Sequence, residues 1–89
     1  MNSRATPRFW RCFDLLPPDV QRQARIAYQR WQDNPDHPGL DFKQIGRTRP
    51  MYSVRIGIHW RALGLRTDDG MLWVWIGSHA EYDRLTRQI

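Results

Sequence analysis

The chain has 89 residues, one cysteine and a formal net charge of +5. That length fits one domain, residues 1–89, built from two packed layers. A lone Cys12 excludes an internal disulfide, and no apolar run approaches a membrane span.

Excess positive charge favours polyanionic partners. Lys43 is the single lysine among the 14 basic residues, and arginine grips phosphate bidentately and stacks on bases. The N-terminus shows no secretory signal pattern, so the cytoplasm is the expected compartment. Five tryptophans supply large buried areas, which argues for a folded domain.

Residues 1–7 are expected to be a flexible tail. Phe9 to Phe13, rich in aromatics, reads as a first strand. Pro17-Pro18 punctuates the chain, and proline suits the first turn of a helix. From Asp19 to about Asp33, Val20, Ala24, Ala27, Tyr28 and Trp31 form one apolar stripe at helical spacing. Arg22, Arg25, Gln29 and Arg30 occupy the other side. Asn34 to Gly39 ends the helix in a loop.

After that loop the period changes to two. Leu40 to Ile45 alternates, and so does Tyr52 to Ile56. Gly57-Ile58-His59 reads as a short turn and Trp60 to Arg66 as the next strand. Thr67-Asp68-Asp69-Gly70 is a hairpin signal. Met71 to Ile76 is apolar on both faces, as a strand covered on both sides would be.

The expected architecture is α+β. It has a small mixed, mostly antiparallel sheet of four to five strands, one main helix on one face, and a short C-terminal helix over 79–87. Arg55 should point to the open face if Val54 and Ile56 point to the helix.

Ser78-His79-Ala80-Glu81 fits the S-x-x-E capping box, which accounts for Ser78 and Glu81. It does not account for His79. The helix macrodipole disfavours a cationic imidazole there, so a neutral His79 could accept a proton. Asp83 reads as a surface residue without a role.

Arg55 and Arg61 lie on neighbouring strands across the Gly57 turn, and two guanidinium groups at that spacing suit a phosphate and its neighbour. Taken singly, each reads as a solvated basic residue. Cys12 reads as core, and His37 and His59 read as loop residues. No metal-ligand spacing, P-loop, dinucleotide fingerprint or nucleophile elbow is present, so neither a metal nor another cofactor is expected.

Several segments carry a resemblance. Trp31 to Pro35 ends the helix in Asn-Pro. Tyr52-Ser53-Val54-Arg55-Ile56-Gly57 is followed by Trp60-Arg61-Ala62-Leu63. Ile76-Gly77-Ser78-His79-Ala80-Glu81-Tyr82 closes the last strand. In that order and spacing they resemble the RelE/ParE superfamily of bacterial type II toxins, from about Phe13 to Leu85.

The resemblance implies a small mixed sheet backed by helices. It also implies a toxin that a cognate antitoxin protein silences. RelE-like and HigB-like members are ribosome-dependent endoribonucleases that cut mRNA in the A site. ParE-like members instead inhibit DNA gyrase. A membrane is not among the implied partners.

Carried over by position, the nuclease branch implies Arg55, Arg61, His79 and Tyr82 as catalytic residues, with Lys43, Arg47 and Arg49 binding RNA. The two arginines would stabilise the phosphorane-like state, His79 would act as base or acid, and Tyr82 would stack on or orient the nucleotide. Replacing either arginine with Gln would then weaken activity with little loss of stability. This chain departs from the best-known branch at Ser53, where a lysine is expected. The basic open face is where an antitoxin would be expected to lie.

Overall fold

The computed structural model describes residues 2–87. The chain runs β1 (Asn2–Ala5), α1 (Pro7–Asp14), α2 (Pro18–Asp33), a single 3-10 turn (Pro38–Leu40), β2 (Lys43–Gln44), β3 (Met51–Ile56), β4 (Trp60–Thr67), β5 (Gly70–Ser78) and α3 (His79–Thr86). The strands form one sheet in the order β1-β5-β4-β3-β2. The four late strands pair antiparallel in sequence order, as their tight connections predict, while β1 pairs parallel to β5.

Two expectations for the N-terminus are corrected. Residues 2–5 are not a tail but the parallel edge strand β1. Phe9 to Phe13 is not a strand but part of helix α1. The Thr6 side chain accepts from the Phe9 amide and Pro7 takes the first helical position, which is a complete N-terminal signal. The aromatic run has high strand propensity, but the cap just upstream decides its geometry.

Helix α2 begins on Pro18 and buries Val20, Ala24, Ala27 and Trp31 along one stripe. Trp31 meets Trp73 edge-on at 5.2 Å and Phe42 at 5.9 Å between ring centroids. These rings sit with Val54, Ile56, Ala62, Met71 and Ile76 in the main core, between the sheet and the helices. A smaller core of Leu63, Trp75 and Tyr82 includes a residue of α3.

Strand β5 reaches the main core with both Trp73 and Ile76, three positions apart, which strict alternation forbids. A bulge resolves this. Leu63 pairs with Trp75 and Gly64 with Trp73, so β5 has one residue more than β4 at that point. A Cβ on Gly64 would lie 2.7 Å from the Trp73 ring, so only glycine fits beneath it.

Gly70 is constrained more tightly. A Cβ there would lie 1.6 Å from the Asn2 carbonyl oxygen, because β1 runs directly over it. Gly70→Ala is therefore expected to detach β1 and leave the outer edge of β5 unpaired. The Thr6 amide, which donates to the Trp73 carbonyl at 3.0 Å, should then lose protection in hydrogen exchange. Unchanged protection at Thr6 would show that β1 accommodates the methyl group.

Candidate functional site

Strand alternation puts Tyr52, Val54 and Ile56 on the helix side of β3 and Ser53 and Arg55 on the other. Register extends that second face across the sheet. Lys43 lies opposite Ser53 across β2–β3, and Arg55 lies opposite Arg61 across β3–β4. Residues directly opposite in register point to the same side. Lys43, Ser53, Arg55 and Arg61 thus share one face, which α3 partly covers.

Helix α3 is held by the expected capping box. Ser78 accepts from the Glu81 amide at 3.1 Å, and Glu81 accepts from the Ser78 amide. Capping fixes where the first turn points. The His79 amide donates to the His59 carbonyl at 2.7 Å, which ties the helix start to the β3–β4 turn. Tyr82, one turn on, is then carried down onto the sheet.

At the centre of the face lies Ser53, which has no exposed surface. Its Oγ accepts from Arg61 Nη1 at 3.0 Å and from the Tyr82 hydroxyl at 3.2 Å. The Arg61 guanidinium lies over the Tyr82 ring, 5.0 Å from its centroid. Arg61 Nη2 donates to Asp41 Oδ2, and Lys43 Nζ lies 3.4 Å from the same oxygen. His79 stands beside Tyr82 with ring centroids 5.7 Å apart. Its Nε2 is 3.4 Å from Asp83 Oδ1, an ion pair when the ring is protonated.

Arg61 is only 4% exposed, so it is not a solvated basic residue. Nor is it presented directly to a ligand, because its accessible side is occupied by Asp41. The expectation that Arg61→Gln would cost little stability assumes a surface residue, and Arg61 is buried. Arg55 differs. It is exposed, its Nε donates to the Gly39 carbonyl at 3.3 Å, and no acidic side chain pairs with it among the described residues.

Tyr82 is buried, with its hydroxyl committed to Ser53, so it has little surface to offer a base. His79 is half-exposed at the margin of the cluster. Arg47 and Arg49 lie in the exposed loop between β2 and β3, outside the hydrogen-bonded cluster.

Two residues of the cluster escape sequence reasoning. Ser53 is conspicuous only as a missing lysine. Asp41 lies on the outward face that alternation gives it, since Leu40 is buried and Phe42 stacks on Tyr52. Local pattern does not show that Leu40 ends a 3-10 turn, that Asp41 adopts φ 44, or that its carboxylate meets Arg61 from 20 residues away.

The Arg61 hydrogen bond, aided by Lys43, holds the Asp41 carboxyl below the usual carboxylate range. A depressed folded value means stability present above the unfolded carboxylate range and lost as pH falls through the folded value. The stability difference between wild type and Asp41→Asn should therefore be constant above about pH 5 and shrink below about pH 4 in urea titrations. A difference that does not change with pH would show that the charge on Asp41 contributes nothing.

Among the described residues no three His, Cys, Asp or Glu side chains are grouped to hold a metal. An apolar cavity of about 470 Å³ lies on the helix side of the sheet, between α1, α2 and the core strands. It is away from all of this chemistry.

The family model for the ParE-like toxin domain matches residues 18–84. No curated protein matches the chain. The fold is similar to a chain of the RelB-RelE antitoxin-toxin complex of Methanococcus jannaschii, with TM-score 0.71 and 16% identity over 90% of this chain and 95% of that one. It is also similar to YafQ from E. coli strain BL21(DE3), with TM-score 0.73 and 10% identity over 91% and 96%. A chain of the toxin-antitoxin complex RelBE2 of Mycobacterium tuberculosis matches with TM-score 0.68 and 20% identity over 88% and 96%. At these identities the structures speak to the fold, and the matched family spans all of α2 through β5 and most of α3.

Proposed function

Because the chain belongs to the ParE-like toxin domain family, within the RelE/ParE superfamily, we propose that it is the toxin of a type II toxin–antitoxin pair and cleaves mRNA on the ribosome without a metal. One observation carries the nuclease reading. Cationic and titratable side chains from three strands, a loop and a helix meet on one sheet face, around Arg61.

RNA cleavage through the 2′-hydroxyl needs a base for its proton, cations for the doubly charged transition state, and an acid for the leaving 5′-oxygen. His79 is the exposed proton carrier. Arg55 is the exposed cation, with Lys43 beside it. Arg61, Ser53 and Tyr82 form the buried frame that positions them. Tyr82 serves by holding α3 and covering Arg61 rather than by stacking on a base.

An antitoxin is the expected partner. The M. jannaschii and M. tuberculosis structures are described as complexes with antitoxins, and a positively charged toxin favours a partner of opposite charge.

A second reading is a gyrase inhibitor without RNA chemistry. The family is that of ParE-like toxin domains, and Arg61 is already paired within the fold. The two readings separate in a translating extract. Purified protein is added, mRNA 5′ ends are mapped, and gyrase supercoiling is assayed in parallel. New ends in the codon at the ribosomal A site are expected. Intact mRNA with gyrase inhibited would overturn the nuclease reading in favour of the second.

A further inference from the structure

Arg61 is buried, yet one of its partners is replaceable. Its Nη1 is held by Ser53, its ring-facing side by Tyr82, and its Nε has no hydrogen-bond partner. Its charge is met by one carboxylate, Asp41, whose side chain is 38% exposed. The same carboxylate oxygen lies 3.4 Å from Lys43 Nζ. Cations from two strands, β2 and β4, thus converge on a single anionic oxygen supplied by a loop. Arg55 is attached to that loop through the Gly39 carbonyl.

The backbone beneath Asp41 is unusual. Asp41 has φ 44, and it is the one non-glycine residue with positive φ among the described residues. A left-handed non-glycine residue costs about 1–2 kcal/mol and persists where its surroundings hold it, often at ligand clamps. Here buried Leu40 and the packed Phe42 hold the backbone from both sides. The side chain alone can turn outward, and that would uncover Arg61 Nη2 and release the already exposed Lys43 from its ion pair.

We propose that the position filled by the Asp41 carboxylate is a phosphate site, and that Asp41 is an internal counter-ion which an RNA phosphate displaces. The proposal rests on the RNA reading above and extends it to how the site is kept shut. With Asp41 in place, Arg61 is neutralised and cannot reach a phosphate. When a backbone phosphate takes its place, one oxygen meets both Arg61 Nη2 and Lys43, with Arg55 at the rim. A carboxylate and a phosphate oxygen present the same acceptor geometry to guanidinium, so the exchange needs no rebuilding of the buried frame. The closed site keeps a basic surface from gripping every RNA it meets, at a modest cost in affinity for the right one.

The test uses binding without cleavage. A short single-stranded DNA oligonucleotide, which lacks the 2′-hydroxyl, is titrated into wild type, Asp41→Asn and the double variant Asp41→Asn/Arg61→Gln by fluorescence anisotropy. Removing one negative charge a few ångströms from the bound phosphate should tighten binding about tenfold in Asp41→Asn. The dependence of log K on log salt should steepen by about 0.7, one further counterion released from a single strand. The double variant should lose the gain. A purely structural Asp41 would give a less stable protein with equal or weaker binding and an unchanged salt slope, and that result overturns the proposal.

If Asp41→Asn does not fold, NMR decides the question on wild type. The Asp41 carboxyl carbon and Arg61 side-chain signals should shift together as inorganic phosphate is added, and unmoved signals under saturating phosphate overturn the proposal. The two readings fail separately. A binding gain with no mRNA cleavage by any variant leaves the phosphate site and removes the nuclease. Cleavage by wild type with no binding gain leaves the nuclease and removes the counter-ion.

Discussion

Arg61→Gln is expected to lower unfolding free energy by about 2–3 kcal/mol, while Arg55→Gln stays within about half a kcal/mol of wild type. The two arginines face each other in register and look equivalent in sequence, but their environments differ. Breaking a fully buried ion pair by removing one partner typically costs about 3–5 kcal/mol. Here the orphaned partner, Asp41, is partly exposed and can be hydrated, which brings the cost down. Against that, Gln leaves the Tyr82 ring without its cation, a contact worth about 0.5–2 kcal/mol. It also shortens the reach to Asp41. Urea unfolding should show the Arg61→Gln midpoint shifted with the slope unchanged.

Activity does not separate the arginines, although the causes differ. Both variants should lose cleavage, Arg55→Gln through the lost surface cation and Arg61→Gln through the disordered frame. Arg61→Lys should not restore stability, since one ammonium cannot bridge Ser53 and Asp41 as a guanidinium fork does. Equal midpoints for Arg55→Gln and Arg61→Gln would show that the buried pair contributes nothing to the fold.

Legibility of the molecule in its sequence follows the range of each interaction. Helix α2, the β3–β4 and β4–β5 pairings and the capping box are written in local periodicity and turn chemistry, and they are found where those signals lie, whereas the strand expected over Leu40 to Ile45 narrows to Lys43–Gln44. The parallel strand β1 carries no such signal. Asn2 to Ala5 is polar and short, and its pairing with β5 depends on the absence of a side chain at Gly70, far along the chain. Helix α1 was readable at Thr6-Pro7, but the aromatic run that follows favours a strand and competes with the cap.

The site divides in the same way. Arg55, Arg61, His79 and Tyr82 are legible as residue types at family spacing, and the structure links Arg61, Tyr82 and His79 by direct contact, with Arg55 beside them in register. Burial is not legible. Nothing local distinguishes the exposed Arg55 from the enclosed Arg61, because α3 and the Asp41 loop, 18 or more residues from Arg61, decide it. Asp41 lies on the outward face, as the alternation of Leu40 to Ile45 predicts, but its pairing with Arg61, 20 residues on, has no local signal.

His79→Ala is expected to reduce mRNA cleavage about a hundredfold or more, the usual scale for losing a general acid or base. Stability should change by less than about half a kcal/mol. The reasoning turns on what the alanine keeps. The bond from the residue 79 amide to the His59 carbonyl is a backbone bond and survives. The Ser78–Glu81 capping box and the Tyr82 anchor on Ser53 are untouched. The side chain gives up only its exposed contact with Asp83 and the edge of Tyr82, and exposed ion pairs contribute little. A structural role therefore has almost nothing to lose, and a large loss of cleavage at unchanged melting temperature assigns the imidazole to proton transfer. Asp83→Asn serves as the control. It removes the ring's charged neighbour but leaves the imidazole, so it should retain most of the activity that His79→Ala loses. Full cleavage by His79→Ala would take the imidazole out of the mechanism and leave the proton transfers to another group on the same face.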